Sequence, residues 1–302
     1  MSAPQYRAQV QLLVRLLPLV ALERDLALKG GTAINLFWRN LPRLSVDIDL
    51  TYLPVADRAT SLAAIDAAMR RLAGAVCAAL PGSAGDLQGE DGAVRRLLVR
   101  DGGVQVKVEV TPVLRGVVFA AEDRMVAERV EAEFGFAEAR LVSFADLFAG
   151  KMVAALDRQH PRDLFDIRDL LATEGFTRPL MEAFLVYLVS HNRPMAEILD
   201  PHRLDLTQEF ERNFAGMTSE PVVLADLVQA REDLVAGVHA ALTDADRRFL
   251  LSVKTGAPDW ALVGLFQAAE LPAIRWKLRN LDALPAAKRE ALAARLKGVL
   301  GL

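Results

Sequence analysis

The stretch RLSVDIDL, residues 43–50, is a strongly apolar run that carries two carboxylates two positions apart. In an extended strand, side chains alternate between faces, so Val46, Ile48 and Leu50 share one face and Asp47 and Asp49 share the other. Neighbouring carboxylates repel, and partial burial is costly unless positive charge sits between them. A divalent cation is the simplest such charge.

The flanks read as a frame for that strand. Upstream, in LALKGGTAINLFWRN, Leu26–Lys29 is a short strand, Gly30-Gly31 a forced turn, and Thr32 the start of a short helix. Such a turn lets backbone amides approach a ligand at a helix start. Downstream, residues 61–79 form an Ala/Leu-rich helix ended by Pro81-Gly82. The segment VRRLLVRDGGVQVKVEV, residues 94–110, predicts a hairpin turning at Asp101-Gly102-Gly103. Its second arm alternates Val104, Val106, Val108 and Val110 with Gln105, Lys107 and Glu109, which puts Glu109 on a polar face as well.

Farther out the periodicity becomes helical. Residues 6–24 have helical spacing with Pro18 as a break or new start, and Ser143-Phe144-Ala145-Asp146 resembles a capping box. Lys151 is the only charge between Leu147 and Leu156. After His160-Pro161, the run RDLFDIRDLL carries Asp163 and Asp166 three apart on one helical face. From Arg178 onward the pattern is helical, with loops near Gly216–Pro221 and 255–259. The expected architecture is an α/β (α+β) domain with a mixed sheet over 1–140, followed by an all-helical part over 141–302.

Composition narrows the class. The 302 residues are 52% hydrophobic with a net charge of −3, enough for a sizeable core and no general nucleic-acid binder. The charge is uneven: residues 258–302 hold seven Lys or Arg against four Asp or Glu. Cys77, the one cysteine, excludes a disulfide framework, fits a reducing cytoplasm and reads as a small core residue. The most apolar run, VQLLVRLLPLVALE, is interrupted by Arg15 and Pro18, so no membrane span is expected.

Each feature alone has an ordinary reading: a solvated strand face, a plain turn, a snorkelling lysine, helix ion pairs of Asp163 and Asp166 with Arg162 and Arg168. In their order they resemble the nucleotidyltransferase superfamily of DNA polymerase β-like enzymes. KGGTAINLF, RLSVDIDL, VKVEV, the Lys151 helix, RDLFDI and the late ELPAIRWKLRNL further resemble the AbiEii/AbiGii toxins of abortive-infection and toxin–antitoxin systems, a family with mycobacterial members.

The resemblance implies a Mg²⁺- or Mn²⁺-dependent enzyme that transfers a nucleotide from an NTP to RNA, at the tRNA acceptor end, and so blocks translation. Its partner would be a cognate antitoxin. Asp47 and Asp49 would ligate metal, with Glu109 as third acid; Gly30, Gly31, Thr32 and Ser45 would line the nucleotide, and Lys151 would neutralise the triphosphate. Asp163 or Asp166 would position the incoming hydroxyl. Asp166 is preferred because it lies about four helical turns from Lys151 if the chain stacks back. Ser45 is the phosphorylation candidate. Alternative readings are transfer to a protein or small-molecule hydroxyl, and a non-catalytic nucleotide- or partner-binding module. Arg275-Trp276-Lys277-Leu278-Arg279 would either grip tRNA phosphates with Trp276 stacked on a base, or pack Trp276 and Leu278 inward with the charges solvated; packing is the default.

Overall fold

In the computed structural model, which describes residues 3–90 and 92–302, seven strands form one mixed sheet. They are β1 (Leu26–Lys29), β2 (Asp47–Tyr52), β3 (Ala84–Glu90), β4 (Ala93–Asp101), β5 (Val104–Thr111), β6 (Glu122–Met125) and β7 (Glu138–Leu141), in the spatial order β3-β4-β5-β2-β1-β7-β6. β2 is central. It runs parallel to β5, pairing Asp47 with Lys107 and Asp49 with Glu109, and antiparallel to β1, pairing Asp49 with Lys29. The β4–β5 hairpin turns at Gly102-Gly103, both at positive φ (54° and 83°), the geometry a tight two-residue turn requires.

Alternation holds the register. Ile48, Leu50, Val106 and Val110 are fully buried and Val108 nearly so, while Asp47, Asp49, Lys107 and Glu109 on the other face are half-buried. A slip of one residue would exchange the two sets. Burying each aliphatic side chain contributes about 1.5–3 kcal/mol, so this row outweighs the repulsion of the paired acids and keeps them facing the same way.

Helix α1 (Ala3–Val20) lies against β5 and β7, and α3 (Arg58–Ala79), capped by Asp57 accepting from the Thr60 amide, lies against β3 and β4. Between them in sequence, the short α2 (Gly30–Ala33) continues as a π-helical turn over Ile34–Trp38. Pro18 does not break α1; it sits in the last turn, where the helix is about to end. Cys77 is exposed rather than in the core, because α3 buries Ile65, Met69, Leu72, Ala73 and Val76 and residue 77 falls past the edge of that stripe. α4 (Glu128–Phe134), β3, β6 and β7 were not legible from periodicity.

The chain divides into two units. The first is Met1–Ser143 together with Gly216–Pro221, and the second is Phe144–Ala215 together with Val222–Leu302. The returning piece of the first unit pairs with the chain just ahead of β2: Arg43 and Thr218 form an antiparallel bridge, the Leu44 amide donates to Met217 O (3.0 Å), and the Ser219 amide donates to Pro42 O (2.8 Å).

The second unit is helical: α5 (Phe144–Arg158), α6 (Pro161–Thr173), α7 (Arg178–Ser190), α8 (Met195–Leu199), α9 (Thr207–Asn213), α10 (Leu224–Ala241), α11 (Asp244–Thr255), α12 (Pro272–Asp282) and α13 (Ala286–Leu300). α5 packs on α6 and α7, and α10 on α6, around Phe148, Phe184 and Leu164. Among the described residues, no helix is long and apolar enough to cross a membrane.

Candidate active site

In the first unit, the Gly30-Gly31 turn lies directly against the acids of β2. Gly30 has φ +74°, and a Cβ there would stand 2.8 Å from Asp49 Oδ2. A Cβ on Gly31 would stand 2.8 Å from a terminal nitrogen of Arg43 and 3.0 Å from Ser45 Oγ. At Gly30 the positive φ favours glycine as well, and at both positions a side chain would push these polar groups aside. The turn is anchored from behind by the buried Asn35, whose Nδ2 donates to Gly31 O (2.8 Å).

Thr32 is buried, and its hydroxyl donates to the Asp47 carbonyl and lies 3.0 Å from Ser45 Oγ. Its side chain therefore ties the helix start to β2. Ser45 is half-buried between this hydroxyl and the Gly31 backbone.

Three cations accompany the three acids. Glu109 accepts from an Arg96 terminal nitrogen (2.7 Å) and from Lys107 Nζ (3.0 Å). Burial pushes the Glu109 carboxyl up, but Arg96 and Lys107 together hold it below its ordinary value. Burial lowers the Lys107 ammonium, yet Glu109, Asp47 and Asp49 carry it above its ordinary value. Lys29 behaves differently: burial depresses it, and Asp49 and Glu109 restore only part of the loss. Among the described residues, no three His, Cys, Asp or Glu side chains converge as a metal-binding group. The donor chemistry of Asp47 and Asp49 nevertheless suits a hard divalent ion, since both present carboxylate oxygens from one strand face. Glu109 shares their register but is turned into Arg96 and Lys107.

In the second unit, α5 and α6 bring a buried ion cluster together. Lys151 Nζ contacts Asp163 Oδ1 (2.7 Å) and Asp166 Oδ2 (3.0 Å). The three are 7%, 1% and 2% exposed, respectively. Arg158 adds two hydrogen bonds to Asp163, at 2.6 and 3.0 Å. Burial raises the Asp163 carboxyl, but the Lys151 charge and Arg158 outweigh it and hold it far below the carboxylate range.

The turn joining α5 to α6 makes this possible. Gln159 adopts a left-handed backbone (φ 49°), donates to His202 O (2.6 Å), and accepts from the Leu204 amide and buried Arg231, each at 3.0 Å. His160 then caps α6 by accepting from the Arg162 amide (3.1 Å).

The sequence profile of the AbiEii nucleotidyl transferase toxins of type IV toxin–antitoxin systems matches residues 11–280. The chain belongs to this family. Among solved structures, MenT4, a nucleotidyltransferase toxin from Mycobacterium tuberculosis H37Rv, is similar with a TM-score of 0.62. The match covers 93% of this chain and 95% of that one at 18% identity, a likeness of fold. A comparison with curated protein sequences returns no match. As an AbiEii toxin the protein is a nucleotidyltransferase of a type IV toxin–antitoxin system, and its partners are a nucleoside triphosphate and an antitoxin.

Within this AbiEii chain, Gly30, Gly31, Ser45, Asp47 and Asp49 lie together around the buried Thr32 with Glu109 beside them, and Lys151, Asp163 and Asp166 form a second cluster. Sequence reasoning missed Lys29, Arg43 and Gln159. A lysine closing an apolar strand just before Gly-Gly was the available signal for Lys29. Gln159 gave none, because its role rests on partners at positions 202, 204 and 231.

The Asp163 carboxyl titrates lower in the fold than its unfolded value of about 3.9. Its stabilising contribution is therefore complete above about pH 4 and lost as pH falls through the folded value. Asp163→Asn is expected to flatten the acid limb of the stability curve below about pH 4 while lowering stability at neutral pH, read from urea unfolding across a pH series. An unchanged acid limb would refute this assignment.

Proposed function

We propose that the protein is a Mg²⁺-dependent toxin that transfers a nucleotide from an NTP to RNA at the tRNA acceptor end and thereby stops translation in the cytoplasm. The observation that carries this reading is the acid pair Asp47/Asp49 set against a glycine turn that comes within a single Cβ of the carboxylate. Asp47 and Asp49 hold the metal, and Gly30-Gly31 admits the triphosphate to the same surface. Glu109 would join as a third ligand only by leaving Arg96 and Lys107. When bound, a divalent ion supplies charge neutralisation on the phosphate oxygens and lowers the barrier to in-line displacement.

The protein's own groups prepare that step. Lys29, in register with Asp49, balances the acids on β2 and limits their mutual repulsion. In the helical unit, Lys151 is the cation for the triphosphate. Asp166, which contacts Lys151 alongside Asp163, is the acid for the incoming hydroxyl, with Asp163 as the alternative. Ser45 is the phosphorylation candidate; a phosphate there would add about −1.5 to −2 charge two residues ahead of Asp47 and oppose nucleotide binding.

The test is incubation of purified protein with Mg²⁺, total tRNA and each α-labelled nucleoside triphosphate in turn, with Asp47→Ala as control. Label on tRNA from one nucleotide, absent with the variant, is the expected result. Label only on protein or a small molecule would replace the acceptor, and no label with any nucleotide would overturn transfer to RNA.

A further inference from the structure

Helix α12 presents a face that its own packing does not explain. Ala273, Ile274 and Leu281 are buried, while Arg275, Trp276, Arg279 and Asn280 form one exposed stripe at spacing i, i+1, i+4, i+5. Trp276 is 54% exposed, contrary to the packing expected from sequence. Leaving that much indole in water forgoes burial on the scale of a core side chain.

The charges divide by what they touch. Lys277 turns away from the stripe: its Nζ donates to His191 O (2.6 Å) and lies 3.4 Å from the Asn192 and Arg193 carbonyls, capping the end of α7. Burial, with Lys254 nearby, holds its ammonium down to about 8. Arg275 pairs with Glu270. Among the described residues, Arg279 makes no side-chain hydrogen bond or ion pair. Residues 271–302 carry seven Lys or Arg against Asp282 and Glu290, a local excess of five positive charges on a chain of net −3.

We propose that this stripe seats the unpaired end of the acceptor RNA, with Trp276 stacked on a base and Arg279 and Arg275 on the flanking phosphates. The inference rests on the RNA-transfer reading and adds where the helical unit holds the strand. A flat indole beside guanidinium groups serves a single strand without regard to sequence. The excess of basic over acidic residues along 271–302 favours polyphosphate over an apolar protein face, with Arg275 exchanging Glu270 for phosphate.

The test measures binding without chemistry. The chain carrying Asp49→Asn, without nucleotide, is titrated with a labelled stem–loop RNA bearing an unpaired 3′ tail and with the same stem blunt-ended. Trp276→Ala is expected to raise Kd for the tailed RNA by roughly 5- to 150-fold and to leave the blunt stem within about twofold. Trp276→Phe is expected to retain most of the affinity, and Arg279→Ala to lower the salt slope by about 0.7. Circular dichroism of each variant should match the parent, since the stripe is exposed.

Unchanged binding of both RNAs by Trp276→Ala, in a protein that does label tRNA, would overturn the seat alone. The same result with loss of antitoxin neutralisation would assign the stripe to a protein partner and also overturn it. No binding of either RNA by the parent chain, with label passing to another acceptor, would sink the acceptor reading and the seat with it.

Discussion

Asp49→Asn is expected to lower nucleotidyl transfer by at least about a thousandfold and to relieve growth arrest on expression. The substituted amide would keep the shape of the side chain, so a stability change of no more than about 1–2 kcal/mol is expected. The reason for the asymmetry lies in the sheet. Asp49 is not a core group; it is half-buried on the polar face of β2, opposite Lys29 on one side and Glu109 on the other, with Gly30 pressed against its carboxylate. Its negative charge is what a hard cation requires, and a neutral amide oxygen is a poor substitute. Comparison of label transfer with a denaturant melt separates the two effects. Turnover within tenfold of the parent would remove Asp49 from the metal site, and a collapsed melt would make it a structural residue.

Lys151→Met is expected to destabilise the protein by about 3–5 kcal/mol. It takes from Asp163 and Asp166, both almost completely buried, the ammonium they share, and leaves Asp163 with Arg158, whose own side chain is 62% exposed. Removing one member of a buried ion cluster strands the others in low dielectric, which costs far more than the lost contact. The loss has a pH signature. A stranded carboxyl would titrate above its unfolded value of about 3.9, so the folded state would bind more protons and stability would fall as pH rises past about 4. The parent should show the opposite slope from Asp163. The double variant Lys151→Met/Asp166→Asn is expected to recover part of the loss and flatten the slope. Equal stability of Lys151→Met and parent at pH 7 would mean the cluster is solvated.

The two largest effects differ in how visible they were in the chain. Asp47 and Asp49 announce themselves, because strand alternation places them together whatever else the fold does, and the glycine pair ahead of them marks a close approach. The valines of residues 104–110 similarly placed Glu109 on the polar face. What alternation could not show is that Arg96, from the neighbouring strand, and Lys107, two residues away, would take up the Glu109 carboxylate. Likewise, Thr32 reads as a ligand in sequence, yet its hydroxyl is spent on the Asp47 carbonyl.

In the helical unit the sequence left Asp163 and Asp166 as alternatives. The fold brings both to Lys151, at 2.7 and 3.0 Å, and adds Arg158 to Asp163. The turn that makes this possible depends on Gln159, whose partners lie more than forty residues downstream.

Local rules sufficed wherever period, punctuation and residue type act within one element: the α/β class with its helical continuation, the central strand and its acid face, the hairpin, and the family motifs. They failed where an element or a role is created by pairing across the chain. β3, β6 and β7 acquire strand form from their neighbours, Arg43 meets a bridge from Thr218, and Trp276 stays in water because Ala273, Ile274 and Leu281 already fill the buried side of α12. Side-chain direction is written in the local backbone; what a side chain meets is set by contacts between distant segments, and no periodicity encodes those.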